Sequence, residues 1–429
     1  MRFQQTQEHS HDFVRNENEA VLKDGKTMRL LIALLFAASV SAAAVARDEI
    51  SKWDPRMAAE SAVVDTNGVK WIDGRFLPIE GRAFDDVEDW YDRLPASVTT
   101  NVNGGVRSMK HHTAGMLFRF KTDSRNLHFR WTPRSSRLSM DHMPATGVSG
   151  IDVYRWDCTR DRWLYAGACR MRDDSLKEFS LDISWTPGTP CIVNLPLYNG
   201  IKEFRLGIDA GATVEALPSR KSGINKPVVF YGTSITHGAC ASRPGLAFVN
   251  RVGRDLDVPV VNLGFAGSGR MEMEMADHLA RIDASCYVLD CLWNMDKPRD
   301  VPGAAFHDMY AAGFYENDRI SVVRFRYEPF IRALRTKRPG VPIVLAEQSD
   351  VYNSGRFDEK NSFVRALYEK LVAEGWKDLV YLPNDDMYTG DFEGTAEGCH
   401  PNDLGMESMS KAFGGAIRQA LNLRLLERK

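Results

Sequence analysis

No Cys-x-x-Cys pair occurs among the seven cysteines, so zinc or thioredoxin-type chemistry has no sequence basis. No excess charge of either sign is present: Lys+Arg is 55 and Asp+Glu is 57, a net charge of −2. That balance gives no support for nucleic-acid binding, which needs a basic face. A P-loop of the form GxxxxGK[ST] is missing, and so is the nucleophile elbow GxSxG, because position 236 of the Gly232-Thr-Ser234-Ile-Thr236 segment is Thr. Long apolar runs are also scarce, with only one, Leu30 to Ala46, which argues against a protein of several membrane-spanning helices. At 44% hydrophobic and 26% charged residues over 429 positions, the remainder reads as an ordinary globular protein of two or three domains. Its length allows a core without metal or disulfide staples, and the cysteines read as small core residues.

The single apolar run changes the expected compartment. Lys23, Lys26 and Arg29 precede it, and it ends in Ala44-Val45-Ala46 before Arg47. A basic flank, an apolar stretch and a small-x-small ending describe a secretory signal peptide. The run is short and Ala-rich for the alternative, a retained membrane anchor. Residues 1–46 are therefore expected to be a leader, with Met28 as a candidate start, and the protein to be exported, periplasmic or secreted, with no membrane association after cleavage. No Cys stands at the end of the run to take a lipid.

Two halves with different periodicity follow. From about Trp71 to Ala216 apolar residues alternate: Met116, Phe118 and Phe120; Leu127, Phe129 and Trp131; Phe179, Leu181 and Ile183; Phe204, Leu206 and Ile208. Period two with Gly-, Pro-, Asp- and Asn-rich turns predicts an antiparallel β-sandwich over 47–219. No catalytic constellation stands out in it, and His111-His112 reads as a solvated loop pair. Leu217–Pro227 is polar and reads as a linker. Over 226–429, short apolar runs alternate with helical patterns. Strands are expected at 228–231, 258–263, 286–293, 341–346 and 379–382. Helices are expected at 246–256, 271–282, 327–337, 357–374 and 404–425. That alternation predicts a three-layer parallel sheet wrapped by helices, whose ligands sit beyond the carboxyl ends of the strands.

Chemistry-bearing residues stand at those ends. Ser234 follows Gly232 after the first strand. Asn262-Leu-Gly264-Phe-Ala-Gly267 follows the second, and Asn294 the third. Glu397-Gly-Cys-His400-Pro-Asn402-Asp403 precedes the last helix. A serine needs a base to take its proton, the base needs an orienting acid, and the tetrahedral intermediate needs N–H donors. Ser234, His400 and Glu397 supply the first set; the N–H groups of Ser234 and Gly267 with the Asn294 amide supply the second. Alternative acids are Asp403, whose expected task is helix capping, Asp391, and the pair Asp385-Asp386, which reads as part of a solvated acidic loop.

In these blocks the chain resembles the SGNH (GDSL-type) hydrolases. Thr233 stands where that family usually has Asp, Asn294 lacks the surrounding Gly-x-Asn-Asp, and Glu397 replaces the usual Asp. Ser149-Gly150-Ile-Asp152-Val-Tyr154 resembles the GxDLY motif of a β-rich domain that precedes such esterases, with Asp152 and Tyr154 expected as structural residues on one strand face. The resemblance implies a flavodoxin-like hydrolase domain and hydrolysis of acyl esters, short-chain or acetyl and on carbohydrate, with no metal and no cofactor. The implied partner is a small-molecule or glycan ester. One rival is a non-catalytic glycan-binding protein with a degenerate second half, which turnover of p-nitrophenyl acetate would exclude; the other is a phosphoesterase on the same sheet. The long segment 296–317, with Phe306, His307 and Tyr310, is a candidate pocket loop.

Overall fold

A computed structural model describes residues 63–99, 102–169, 177–182, 188–296, 320–349, 358–387 and 389–423, with residues 171 and 309. The leader, and all of the candidate pocket loop except Asp296 and Met309, lie outside the described residues. No helix among the described residues is long and apolar enough to cross a membrane.

The first half contains β1 (Val63–Val64), β2 (Val69–Asp73), β3 (Ile79–Glu80), α1 (Gly104–Met109), β4 (Leu117–Thr122), β5 (Asn126–Pro133), α2 (Ala145–Val148), β6 (Asp152–Asp157), β7 (Arg162–Ala168), β8 (Lys177–Asp182), β9 (Thr189–Asn194), β10 (Ile201–Asp209) and β11 (Val214–Ala216). Two antiparallel sheets result, ordered β1-β2-β10-β5-β8 and β11-β4-β9-β6-β7, with β3 on the edge of β4. The alternation seen in the sequence is realised: Phe118, Phe120, Phe129, Trp131 and Phe204 are fully or almost fully buried. Phe204 joins the two sheets, its ring centroid 4.6 Å from Phe118 and 6.4 Å from Phe129.

The second half contains β12 (Val228–Gly232), α3 (Ser234–His237), α4 (Phe248–Leu256), β13 (Val260–Gly264), α5 (Met273–Arg281), β14 (Cys286–Asp290), α6 (Ser321–Lys337), β15 (Ile343–Ala346), α7 (Asp358–Ala373), β16 (Leu379–Leu382) and α8 (Asp403–Leu421). Its five strands form one parallel sheet in the order β13-β12-β14-β15-β16, the doubly wound arrangement whose crevice lies where the order reverses. Every residue of β12, β13 and β14 is buried, as strands covered on both faces require. Val229, Tyr231 and Leu263 face α5, α6 and α7 on one side. Val228, Phe230 and Val260 face α4 and α8 on the other.

The two halves are not separate beads. Phe84, Leu94, Val98, Val102 and Val106 belong to the same buried cluster as α5 and α6, while Met143, Val148 and Leu197 join the opposite cluster. Each such side chain contributes about 1.5–3 kcal/mol on burial. The connecting stretch is tied down as well: Arg220 pairs with Glu80 and Asp257, and the Lys221 N–H donates to Asp257 at 2.7 Å.

The GxDLY-like segment provides a polar lock between the halves. Asp152, fully buried on β6, accepts from the Arg243 guanidinium at 2.7 Å, from the Gly245 N–H at 2.9 Å and from the Asn194 amide at 2.9 Å. Arg243 also donates to the Tyr154 hydroxyl at 2.6 Å, so both residues of the motif hold the loop that follows α3. Five of the seven cysteines are buried, as expected of small core residues. Asp152→Ala should lower unfolding stability by about 3–5 kcal/mol, because it leaves a half-buried cation and a buried N–H without their acceptor. Equilibrium denaturation measures it, and a loss below about 1 kcal/mol would show that Asp152 is not the lock.

Candidate active site

β12 ends in glycine because nothing larger fits. A Cβ at Gly232 would lie 2.0 Å from Thr236 Oγ1 and 2.7 Å from the Asp290 carbonyl oxygen. The chain therefore turns tightly into α3, where the Thr233 hydroxyl accepts from the Ile235 N–H and Ser234 is the first helical residue. Asn262 ties the next strand to the same helix: its amide donates to the Thr236 carbonyl at 2.7 Å while its Oδ1 accepts from the Gly264 N–H at 2.9 Å.

Ser234 Oγ lies 2.9 Å from His400 Nε2, and His400 Nδ1 lies 2.6 Å from Glu397 Oε1. Residues expected to act together are thus brought into one chain of hydrogen bonds across 166 positions of sequence. The glutamate's extra methylene is absorbed by its own loop. Gly398 takes φ 84°, Thr395 and Pro401 form an antiparallel bridge, and the His400 N–H donates to the same Oε1 at 2.7 Å. Partial burial pushes the Glu397 carboxyl up, but the two hydrogen bonds from His400 outweigh it and hold the carboxyl below its ordinary range. Glu397 is therefore an anion that orients the ring and keeps Nε2 turned to Ser234.

The other predicted donors sit at neighbouring strand ends. Gly267 has φ 67°, a left-handed conformation that glycine adopts without strain. The Gly269 N–H donates to Asn294 Oδ1 at 3.3 Å, which turns the amide's NH₂ end into the available donor.

Two expectations are corrected. Asp403 does not cap α8; Asn402 does, accepting from the N–H groups of Leu404 and Gly405. Asp403 instead accepts from the Ser242 N–H at 2.8 Å and hydroxyl at 2.6 Å, holding the loop after α3 against the last helix. His111 and His112 are not a solvated pair. They follow α1, where His111 bonds buried Asp92 at 2.7 Å and His112 Nδ1 lies 3.2 Å from His237 Nε2. The first half also reaches the site. The Tyr198 hydroxyl donates to the Ser234 carbonyl at 2.9 Å, and its ring stacks on His237 at 4.0 Å. Arg93, fully buried, donates to the carbonyls of Asn262, Gly264 and Met109 at 3.1, 2.8 and 2.7 Å. Burial pulls Arg93 down to about 9, and burial with the neighbouring Arg93 charge pulls His112 down to about 3. The two imidazoles beside the cation are therefore neutral. Neither periodicity nor motif marks Arg93, His112 or Tyr198, since their partners lie far away in sequence. Asp385, Asp386 and Asp391 are exposed, as expected of a solvated loop.

One buried acid lies directly under the site. Asp290, at the end of β14, accepts from the hydroxyls of Thr236 at 2.8 Å and Ser349 at 2.6 Å. Burial raises its carboxyl from 3.8 to about 7.

Comparison with known proteins agrees with this architecture. Residues 225–418 match the GDSL-like Lipase/Acylhydrolase family, and residues 69–214 match GxDLY, the N-terminus of the SGNH-hydrolase type of esterase. The chain thus carries a GDSL-like lipase/acylhydrolase domain behind a GxDLY domain. A GDSL-like lipase structure from Bacteroides ovatus ATCC 8483 is 25% identical, with a TM-score of 0.70 over 83% of this chain and 99% of its own. The salicylyl-acyltransferase SsfX3 from a tetracycline biosynthetic pathway shares the fold at 18% identity, with a TM-score of 0.60 over 84% of this chain and 100% of its own. A family two carbohydrate esterase from Clostridium thermocellum shares it at 11% identity, with a TM-score of 0.51 over 72% of this chain and 93% of its own. No curated protein sequence matches the chain.

Asp290 generates a pH prediction. The unfolded carboxyl ionises near 3.8 and the folded one near 7, so between these values the unfolded chain holds fewer protons and rising pH favours unfolding. The stabilisation present at low pH is lost as pH rises toward 7, by up to roughly 4 kcal/mol. Asp290→Asn, which mimics the neutral acid, should gain melting temperature over the parent as pH rises from about 4 to about 8. Parallel pH profiles for the two proteins would refute the burial effect.

Proposed function

We propose that this protein is an exported serine esterase that hydrolyses short-chain acyl esters, acetyl esters of carbohydrate among them. The observation that carries the reading is the hydrogen-bonded series Ser234–His400–Glu397 at the carboxyl edge of the parallel sheet. His400 Nε2 takes the Ser234 proton as Oγ attacks the ester carbonyl, and Glu397 stabilises the imidazolium so formed. The oxyanion is met by the N–H groups of Ser234 and Gly267 and by the Asn294 amide. Collapse breaks the bond to the leaving alkoxide, which takes the proton from His400. Water, deprotonated by the same imidazole, then attacks the acyl-serine and releases the carboxylic acid and free Ser234. Support for the hydrolytic class comes from the acylhydrolase family match. Support for a carbohydrate ester comes from the fold shared with a family two carbohydrate esterase from Clostridium thermocellum, solved in complex with cellohexaose. The leader pattern at 30–46 supports export.

The deciding experiment is hydrolysis of p-nitrophenyl acetate and acetylated glycans by the parent chain and by Ser234→Ala. The variant should lose turnover and keep the parent's melting curve; equal turnover would remove Ser234 from the mechanism. Asn294→Ala should lower kcat by about 10²–10³-fold, or about 2.7–4 kcal/mol, with KM little changed, because the amide acts on charge that develops in the transition state. A change in KM alone would make Asn294 a ground-state contact. Glu397→Gln should cost up to about 10⁴-fold in kcat and leave residual hydrolysis. Asp403→Asn should cost much less, since Asp403 holds Ser242 and not the imidazole. The reverse ranking would reassign the acid.

A further inference from the structure

His400 has a second set of neighbours that the proposed hydrolysis does not use. His142, on the exposed loop before α2, and Cys240, just beyond α3, both approach it. One ligand atom from each of the three residues lies within 4.8 Å of the other two. The rings of His142 and His400 are 5.3 Å apart between centroids and tilted by 35°. Cys240 is only 6% exposed, while His142 is exposed. Three separate parts of the chain thus converge an imidazole, a thiol and the imidazole of the proposed base.

We propose that His142, Cys240 and His400 form an inhibitory binding site for a soft divalent cation of the Zn²⁺ type. Two imidazole nitrogens and one thiolate are the donor set that such ions prefer over Mg²⁺ or Ca²⁺. Glu397 strengthens the site from behind. A carboxylate on one ring nitrogen raises the basicity of the other and fixes its direction, the arrangement in which histidines ligate zinc. The pairing that makes His400 a base therefore also makes it a ligand. Bond lengths of about 2.0–2.3 Å around a tetrahedral ion put the ligand atoms roughly 3.3–3.8 Å apart. From separations within 4.8 Å, the cluster must close to that spacing, and the exposed His142 side chain is the part that can turn.

Binding replaces the Cys240 S–H bond with an S–metal bond, and the thiol proton leaves to solvent. Because that proton must leave, binding tightens as pH rises. With its Nε2 lone pair on the ion, His400 has none left to accept the Ser234 proton, and hydrolysis stops. The inhibition rests on the esterase reading above, whereas the binding does not.

The test is a Zn²⁺ titration of the whole chain and of His142→Gln and Cys240→Ser. Binding is read by calorimetry and inhibition by p-nitrophenyl acetate hydrolysis, with Co²⁺ as a spectroscopic substitute. One equivalent should bind, hydrolysis should fall in step, and each variant should weaken both effects by at least about tenfold. Metal-free hydrolysis by His142→Gln should stay at the parent level. The Co²⁺ complex of the parent should show thiolate charge-transfer absorption that Cys240→Ser lacks. No stoichiometric binding at micromolar Zn²⁺, or equal affinity for all three proteins, would overturn the site. If no ester is hydrolysed, the esterase reading fails while calorimetry and the cobalt spectrum still decide the metal site.

Discussion

A serine hydroxyl 2.9 Å from an imidazole is a demanding arrangement here, because the two residues are 166 positions apart, Ser234 opening a one-turn helix and His400 standing on a loop. Neither segment holds such a distance unaided. Ser234 is held from beneath by the Gly232 turn, from one side by the Asn262 amide on the helix carbonyl, and from the other by the Tyr198 hydroxyl. His400 is held by the Glu397 carboxylate at two points and by the Thr395–Pro401 bridge. Asp403 then bonds the loop after α3 to the helix after the imidazole, closing the frame.

The β-rich half is part of that frame. Arg93 is a buried cation that donates to three backbone carbonyls, and Asn262 and Gly264 supply two of them. Desolvating a guanidinium is costly, and the cost is offset only while those carbonyls stay in place. The strand end that leads to Gly267 is thereby tied to a residue more than a hundred positions earlier. His112 and His237, both neutral, fill the space between that cation and Tyr198. The Asp152–Arg243 lock does the same for the loop beyond Ser234. The hydrolase half is therefore shaped by contacts from the half before it.

This division explains what was readable in advance. Ser234, Gly267 and Asn294 follow short apolar strands, and Glu397 and His400 precede the last helix; ends of strands and helices are visible in local pattern. The alternation around Phe118, Phe129 and Phe204 likewise reports a one-sided buried face directly. Arg93, His112, Tyr198 and His142 carry no such mark. Their roles depend on which distant backbone or ring they meet, and no local period encodes that. Asp403 reads as a cap for a related reason: Asn402 and Asp403 are both good capping residues, and only the position of Ser242 decides between them.

The central claim is that Ser234 is a nucleophile activated by His400. Covalent labelling addresses it most directly, using an alkyl fluorophosphonate followed by intact-mass measurement and peptide mapping. One phosphonyl group should be gained per chain, on the peptide containing Ser234, and the His400→Ala variant should remain unlabelled on the same timescale. Labelling at another residue, or labelling of Ser234 that persists undiminished without His400, would contradict the claim.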